Sequence, residues 1–493
     1  MKEELKVKKW WGENAAELTK SPENIVKDFK NWIKQVIIVS AIRSPEFNTT
    51  DYLIELWNLL SVNKIDKNIV KEKILEIRNF HLLIVKEKID NNNLLIIDFI
   101  KSRFEYLLEE IDYFISLEDK VLPLKENDYS INISNWKLSL IWFWEILSSE
   151  IQVFVVNNLW INWLKAESVL LDWVASEINL LNSEEEIFAI LSLRISKRIL
   201  NIWNSWKIPI VPGYIPWFEN WIEKTIWRWY TDATAAMTAI WFSNVFSTTL
   251  EIQKSVEWML SADPRVIKLG VKLINQIDYL TAKEITWVRW AQAKLLHYQV
   301  LRKELQESWI NVVLFDPFKK LKWTLITKEK CSKSSWVEFI WWRNNIVFFS
   351  ISSWNMSERW ILSDVFTIAK KYASIDIVST SETEISFTVD WCLSEEKMNK
   401  ISCEIKQKLS MKEDWYENFV RYKKNKALIF CIWQNLSHSI WSLWKAAIAL
   451  AKWNINIEMV SQWTMERAII FWINWDKMNE AINLLHDEFI KNN

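Results

Sequence analysis

The chain of 493 residues reads as an α/β protein. The expected architecture is a three-layer α/β/α sandwich around a mostly parallel sheet, followed by two small α+β modules of βαββαβ type. Three observations predict it. Continuous apolar runs such as Gln35–Ser40 and Ile208–Val211 alternate with helix-spaced segments, as buried parallel strands and their crossovers do. The length suits about three domains with full-sized cores. Beyond residue 336 one rhythm of strand, helix, strand, strand, helix occurs twice. The boundaries follow as 1–325 for the large domain, 336–412 for the first module and 425–493 for the second.

The elements follow in order. Leu5–Lys9 is a short strand before a turn at Trp10-Trp11-Gly12. Ser21-Pro22 starts a helix, with proline at its first position. Residues 62–128, rich in Lys, Glu, Ile and Leu, form a helical excursion broken at Asn91-Asn92-Asn93. Gln152–Val156, Ile208–Val211 and Leu250–Gln253 read as strands, and Asp232–Ile240 and Thr281–His297 as helices. Residues 318–336 shift to Lys, Thr and Ser and read as a linker. In the first module the strands are Ile346–Ser350, Ile375–Ser379 and Glu384–Val389, with helices Ile361–Lys370 and Glu395–Leu409. The second has strands Ala427–Ile432, Ile455–Val460 and Arg467–Ile473, with helices Ile440–Lys452 and Asp476–Lys491.

Composition excludes several classes. Lys+Arg is 61 and Asp+Glu 62, a net charge of −1, so no global field draws the chain to nucleic acid or an acidic membrane. The four cysteines, Cys331, Cys392, Cys403 and Cys431, are scattered and read as reduced thiols in the cytoplasm. The longest uncharged runs, Ala233–Leu250 and Ala427–Trp444, carry polar residues and are short for a spanning helix. The charged start, Met1-Lys2-Glu3-Glu4, does not resemble a signal peptide. No His/Cys/Asp cluster predicts a protein-held metal.

One count is out of place: the sequence has 36 Trp and 3 Gly. Together they make up the share that glycine alone normally takes, about 7%. Tryptophan also stands where a side chain is unwelcome, as in Ile215-Pro216-Trp217, Trp10-Trp11, Trp341-Trp342 and Trp227-Arg228-Trp229. Tight turns need positive φ and close backbone approach, which glycine supplies. The pattern is that of a gene in which UGA encodes glycine, read with a table that assigns UGA to tryptophan. Some bacterial lineages use UGA in that way.

The segment Thr225-Ile226-Trp227-Arg228-Trp229-Tyr230-Thr231-Asp232 then becomes T-I-G-R-G-Y-T-D. It is a glycine-rich turn entering a helix capped by Thr231 or Asp232, a place where backbone N–H groups hold phosphate. Arg228 can pair a carboxylate or phosphate through two hydrogen bonds. This resembles the G-R-G-[GY]-[ST]-D signature of aspartate kinases. Further segments agree in order. Lys8-Lys9-Trp10-Trp11 resembles K-F-G-G, and Val39-Ser40-Ala41 with Thr49-Thr50 resembles V-S-A…T-T. Trp144–Ser148 resembles G-E-x-x-S, and Pro209–Pro216 resembles P-V-V-x-G-[FY]-I. Lys254–Trp258 with Ala262–Arg265 resembles K-x-V-D-G…A-D-P-R, Ala293–His297 resembles A-K-V-L-H, and Asn454–Trp463 resembles G-I-N-I-E-M-I-S-Q-G. The likeness covers nearly the whole chain outside 62–128. It departs where Gly12-Glu13 stand in place of Thr-Ser, and between Glu284 and His297, where about three residues are added.

The resemblance implies an amino-acid-kinase fold and transfer of the ATP γ-phosphoryl to the β-carboxylate of L-aspartate, with Mg²⁺ carried by the nucleotide. It implies that Lys8 and the Trp10/Trp11 turn meet the γ-phosphate and that Lys254, Ser255, Asp263, Arg265 and Lys294 serve the nucleotide. Arg228 would clamp an aspartate carboxylate and Glu145 its ammonium, with Ser40, Thr50, Thr231 and Asp232 completing the pocket. Lys8, Arg228 and Asp232 are the expected catalytic residues. The C-terminal modules resemble ACT domains. They imply an end-product effector, lysine or threonine, at Met356, Ser357, Asp376, Thr380, Ser381 and Glu382, and a homodimer or homotetramer formed through the modules. Two other readings stand beside this one: another carboxylate kinase of the same fold, and a catalytically inactive amino-acid sensor.

Overall fold

The computed structural model describes residues 2–10, 12–59 with short gaps, 66–89, 94–118, 143–160, 164–170, 184–213, 230–253, 259–287, 296–316 except 297 and 302, 323–329, 337–352, 360–389, 393–409, 419–434, 436, 439, 441–462 and 467–491. They form two compact units.

The first unit comprises Met1–Trp258 and Leu296–Lys328. Its strands are β1 (Glu4–Trp10), β2 (Lys34–Val39), β3 (Ala166–Ser168), β4 (Ile208–Pro212) and β5 (Ser247–Gln253), then, after β6 (Gln276–Asp278) of the second unit, β7 (Asn311–Phe315) and β8 (Trp323–Thr327). Seven of these lie in the order β3-β4-β2-β1-β5-β7-β8. All neighbours are parallel except β7 and β8. β2 is apolar on both faces, as in a sheet covered by helices on both sides: Val36, Ile37, Ile38 and Val39 are fully buried. The order reverses at β1, with β2 on one side and β5 on the other. A crevice at the carboxyl ends of strands opens at such a reversal.

The helices of this unit are α1 (Gly12–Ala16), α2 (Lys20–Lys30), α3 (Lys67–Lys88), α4 (Leu94–Glu118), α5 (143–155), α6 (Glu184–Asn204) and α7 (Tyr230–Ser243). The excursion is helical as expected. Asp66 caps α3 by accepting from the amides of Asn68 and Ile69. Val70, Ile74, Ile77 and Ile84 of α3 meet Ile96, Ile100, Phe104 and Ile111 of α4 in one core with Trp144, Leu147 and Ile151 of α5. That core corrects one expectation: Gln152–Val156 is not a strand. Trp144, Leu147, Ile151 and Val155 are buried at helical spacing, and an apolar run this short does not by itself distinguish a strand from a buried helix. The expected linker at 318–336 likewise contains β8, in which Thr324 and Ile326, two residues apart, are both buried.

The second unit comprises Met259–Leu295 and Glu329–Asn493, so 259–295 groups with the C-terminal modules rather than with the large domain. It contains α8 (Tyr279–Trp287); α9 (Lys303–Glu307) belongs to the first unit. The modules supply β9 (Phe339–Ser352), α10 (Ile361–Ala369), β10 (Ile375–Thr380), β11 (Glu384–Val389) and α11 (Glu395–Lys408). The repeat then gives β12 (Phe419–Ile432), α12 (Ser442–Ala451), β13 (Met459–Gln462), β14 (Ala468–Asn474) and α13 (Met478–His486). The six strands form one antiparallel sheet in the order β10-β11-β9-β12-β14-β13. The Trp341-Trp342 doublet is no turn: both residues lie buried within β9. No described helix is long and apolar enough to cross a membrane.

Candidate active site

The polar groups of the first unit converge at the carboxyl ends of β1, β2 and β4. β1 alternates, and its two faces do different work. Lys6 and Lys8 face α2. Lys8 Nζ lies 2.6 Å from Asp28 Oδ2 and donates to Gln35 Oε1 and to the Asn24 carbonyl, each at 3.0 Å. Trp10 ends the same face, fully buried against Ile25, Val26, Ile37 and Val39. Lys9 points the other way, 2.7 Å from Asp232 Oδ1 in the first turn of α7. The two side chains are 3% and 0% exposed, so this is a fully desolvated ion pair.

The expectation for Lys8 is therefore corrected. Lys8 braces β1 against α2, and Lys9 is the lysine at Asp232. Trp10 is not a turn residue, and its ring belongs to the core; Trp11 lies outside the described residues. Shifted by one, the letters Lys9-Trp10-Trp11-Gly12 keep an aromatic residue between the lysine and the turn, as K-F-G-G does. Glu13-Asn14 then stand where the family has Thr-Ser. The signal was present in the sequence, since Lys6, Lys8 and Trp10 share one face of a strand and Lys9 the other.

Around the pair the backbone is drawn tight. The Ser40 amide donates to the Trp10 carbonyl at 3.1 Å and the Gly213 amide to the Val39 carbonyl at 2.8 Å, extending the strand ends into the site. The Ser40 hydroxyl donates to Thr231 Oγ1 at 3.0 Å, Ser148 Oγ to the Ser40 carbonyl at 2.7 Å, and Thr234 Oγ1 to the Gly213 carbonyl at 2.6 Å. A Cβ at Gly213 would meet the Thr231 side chain and lie 2.7 Å from the Val39 carbonyl oxygen. One at Gly12 would meet the Ala41 carbonyl. Both positions need bare backbone.

Glu145, near the start of α5, faces the same place. Burial pushes its carboxyl up to about 8, against backbone hydrogen bonds with Ala41 and Gly213 and the charge of Lys9, which pull it down. Burial likewise holds the Lys9 ammonium below its usual range, opposed by Asp232 and Glu145. An amine and a carboxyl with opposite shifts at one strand end mark a chemical site.

The structure thus brings Ser40, Glu145, Thr231 and Asp232 together and adds Lys9. Thr50, Arg228, Lys254, Ser255, Lys294, Met356 and Ser357 lie outside the described residues. Asp263 and Arg265, in the second unit, bind each other. Arg265 Nε lies 3.0 Å from both Asp263 oxygens, and the Arg265 amide donates to Asp263 Oδ1 at 2.8 Å. Burial raises the Asp263 carboxyl, and Arg265 more than offsets this, leaving it below the usual range. Asp376 lies in β10 and Thr380 ends it. Ser381 and Glu382 occupy the exposed β10–β11 turn, where Ser381 Oγ accepts from the amides of Thr383 and Glu384. The described residues contain no group of three or more His, Cys, Asp or Glu suited to a metal ion.

Known proteins resemble this chain in sequence and in fold. An ACT domain model matches residues 445–489. The chain is 25% identical over 436 residues to aspartokinase 1, chloroplastic, of Arabidopsis thaliana, covering 85% of this chain and 69% of the relative. It is 24% identical over 305 residues to that plant's aspartokinase 3, chloroplastic, covering 60% and 52%. Among solved structures, Escherichia coli aspartokinase III in complex with aspartate and ADP aligns with a TM-score of 0.68 at 19% identity, over 98% of this chain and 99% of that one. Clostridium acetobutylicum aspartate kinase gives 0.69 at 18%, over 98% and 100%. The chain is thus similar to aspartokinases in its ordered motifs, in sequence over most of its length and in fold, with an ACT domain match at residues 445–489.

Proposed function

We propose that the protein transfers the γ-phosphoryl of ATP, presented with Mg²⁺, to the β-carboxylate of L-aspartate, forming 4-phospho-L-aspartate. The observation that carries this is the buried Lys9–Asp232 pair beside Glu145 at the strand-order reversal. A carboxylate is already a nucleophile and needs no base, so the site's task is alignment and neutralisation of charge. Lys9 supplies a desolvated cation for the transferring phosphoryl. Asp232 holds Lys9 in place and, at the first turn of α7, orients the amides there. Glu145 takes the substrate ammonium. Ser40 and Thr231 fix the wall between them, and Arg228 clamps a substrate carboxylate. Lys254, Ser255, Asp263, Arg265 and Lys294 are assigned to the nucleotide.

Regulation is assigned to the C-terminal modules, with an end-product amino acid at the β10–β11 turn and the segment before α10. The E. coli relative has been solved in complex with lysine and aspartate, which supports lysine as the first effector to test, with threonine second. We assign the protein to the cytoplasm, as a homodimer or homotetramer built through these modules. The pathway is that leading to lysine, threonine and methionine.

The test is acyl-phosphate formation trapped by hydroxylamine, with ATP and a panel of aspartate, glutamate and N-acylated acidic amino acids. Activity confined to aspartate supports the reading. Activity on another acid transfers the protein to a different carboxylate kinase, and nucleotide binding without turnover makes it a sensor. Arg228→Ala raises the KM for aspartate or abolishes turnover; unchanged kinetics remove Arg228 from the site.

A further inference from the structure

Backbone conformation identifies individual positions at which the written tryptophan is out of place. Among the described residues, eight non-glycine residues have positive φ. Three are Asn345, Asn425 and Asn454, the residue type that tolerates the left-handed region best after glycine. The other five are Trp32, Trp206, Trp309, Trp360 and Trp441, with φ between 54° and 79°. No other residue type appears. A bulky aromatic residue in this region is a genuine outlier, and five in one chain is a pattern.

Each of the five sits at a helix boundary. Trp32 follows α2, its amide donating to the Phe29 carbonyl at 3.0 Å while the Ile33 amide reaches back to Asp28 at 3.1 Å. Trp206 repeats this after α6, with bonds to Trp203 at 2.9 Å and from Lys207 to Ile202 at 3.2 Å. These paired bonds are the helix-ending motif whose left-handed position glycine usually fills. After α12 the same motif closes on Asn454, with bonds to Ala451 at 3.0 Å and from Ile455 to Leu450 at 3.1 Å. The chain therefore uses a permissive residue for the motif there. Trp309 ends α9 with the first of the two bonds, to Gln306 at 3.3 Å. Trp360 and Trp441 immediately precede α10 and α12, at equivalent places in the two modules, with ψ near 0° and no side-chain cap.

Burial does not offset this, and only two of the rings make a ring or cation contact. The five residues are 62–88% exposed. Trp309 has Lys328 over its ring at 3.9 Å and Trp441 has Trp444 edge-on. Trp32, Trp206 and Trp360 have no ring or cation partner among the described residues. By contrast, the three written glycines stand where a side chain is excluded, Gly12 and Gly213 by neighbouring backbone and Gly270 by a φ of +84°. Glycine is thus used normally where it is written and replaced by tryptophan where the same requirement recurs.

We infer that residues 32, 206, 309, 360 and 441 are glycine in the protein made by its own organism, the corresponding codon being UGA translated as glycine. This rests on backbone geometry and stands whether or not the proposed reaction does. The test is peptide mass spectrometry of the protein purified from its source, set beside the gene. The expected result is glycine masses in the peptides spanning all five positions, and UGA at each. Tryptophan masses, or UGG codons, overturn the inference. A second measurement isolates the physical argument. Chains carrying Trp→Gly at all five positions and chains carrying the written residues are made in a host that reads UGG as tryptophan, and their melting temperatures are compared. The glycine form melts higher; an equal or lower value overturns the conformational argument.

Discussion

Replacing Glu145 by Gln tests the electrostatics of the site through both stability and binding. Burial raises the Glu145 carboxyl from 4.5 to about 8 in the folded chain. Below pH 4.5 the group is protonated in both states and imposes no penalty. Between 4.5 and 8 the unfolded chain releases the proton while the native chain retains it, so stability falls as pH rises; above 8 the loss is complete. At about 1.4 kcal/mol per unit, the shift corresponds to about 5 kcal/mol as a ceiling. Glu145→Gln cannot titrate and keeps the shape, so urea unfolding at pH 4.5 and 8.5 is expected to show that difference in pH dependence between the two proteins. Binding gives a second reading. A substrate ammonium beside Glu145 favours the carboxylate, so aspartate binding at pH 7 releases about 0.9 proton. Calorimetry in buffers of different ionisation enthalpy measures it, and apparent affinity for aspartate rises about tenfold between pH 7 and 9. Parallel stability profiles, or a binding enthalpy independent of buffer, refute the placement of Glu145.

Lys9→Met removes the buried ion pair with Asp232, at a cost of about 3–5 kcal/mol in urea unfolding, whereas Lys8→Met costs about 1–3 kcal/mol, because Lys6 Nζ still lies 3.1 Å from Asp28 Oδ1. After correction for the folded fraction, only Lys9→Met abolishes hydroxamate formation; equal specific activities would place both lysines in the scaffold. Gly213→Ala pushes a methyl group against Thr231 and to 2.7 Å from the Val39 carbonyl oxygen. It costs about 1–3 kcal/mol and raises the KM for aspartate, because Thr231 and Ser40 must separate; a KM unchanged at full stability excludes Thr231 from the pocket. Asp278→Asn breaks the ion pair that Asp278 Oδ2 makes with Arg467 at 2.7 Å, both side chains buried. It destabilises the second unit by about 3–5 kcal/mol in the same unfolding assay, and a loss below 1 kcal/mol would mean that water reaches the pair.

Legibility in the sequence followed the strength of the periodic signal. In the two C-terminal modules β9 and β12 begin at Phe339 and Phe419, well before the expected Ile346 and Ala427, and β13 begins at Met459 rather than Ile455. There α10, α11, α12, β10, β11 and β14 were readable to within about two residues, because alternating strands and amphipathic helices are separated by clear turns. Gln152–Val156 was not, because a run of apolar residues lacks the polar positions that would reveal its period. Gln152 itself is buried and donates to the Ala15 carbonyl at 2.6 Å, a contact that no local pattern encodes. The site was legible as a set of motifs, and Ser40, Glu145, Thr231 and Asp232 do meet. The register of β1 was misread because two lysines in a row offer the same letter to either face. Asp28 and Asp232, far apart in sequence, decide which lysine goes where.

The opposite shifts at Lys9 and Glu145 share one cause, and that gives the ligand-free site a definite electrical character. Burial disfavours charge on both, lowering the amine and raising the acid. The cluster therefore sits nearer neutrality than its formal charges suggest, with Asp232 the carboxylate that keeps Lys9 cationic. Each proposed substrate brings the missing counter-charge. An aspartate ammonium ionises Glu145, and the anionic Glu145 in turn strengthens the hold on a protonated Lys9. A γ-phosphate favours the Lys9 cation directly. On the proposed function, whichever substrate arrives first would prepare the charge that the second one meets, so this buried amine–carboxyl cluster is expected to couple the binding of acceptor and nucleotide without any movement of the sheet.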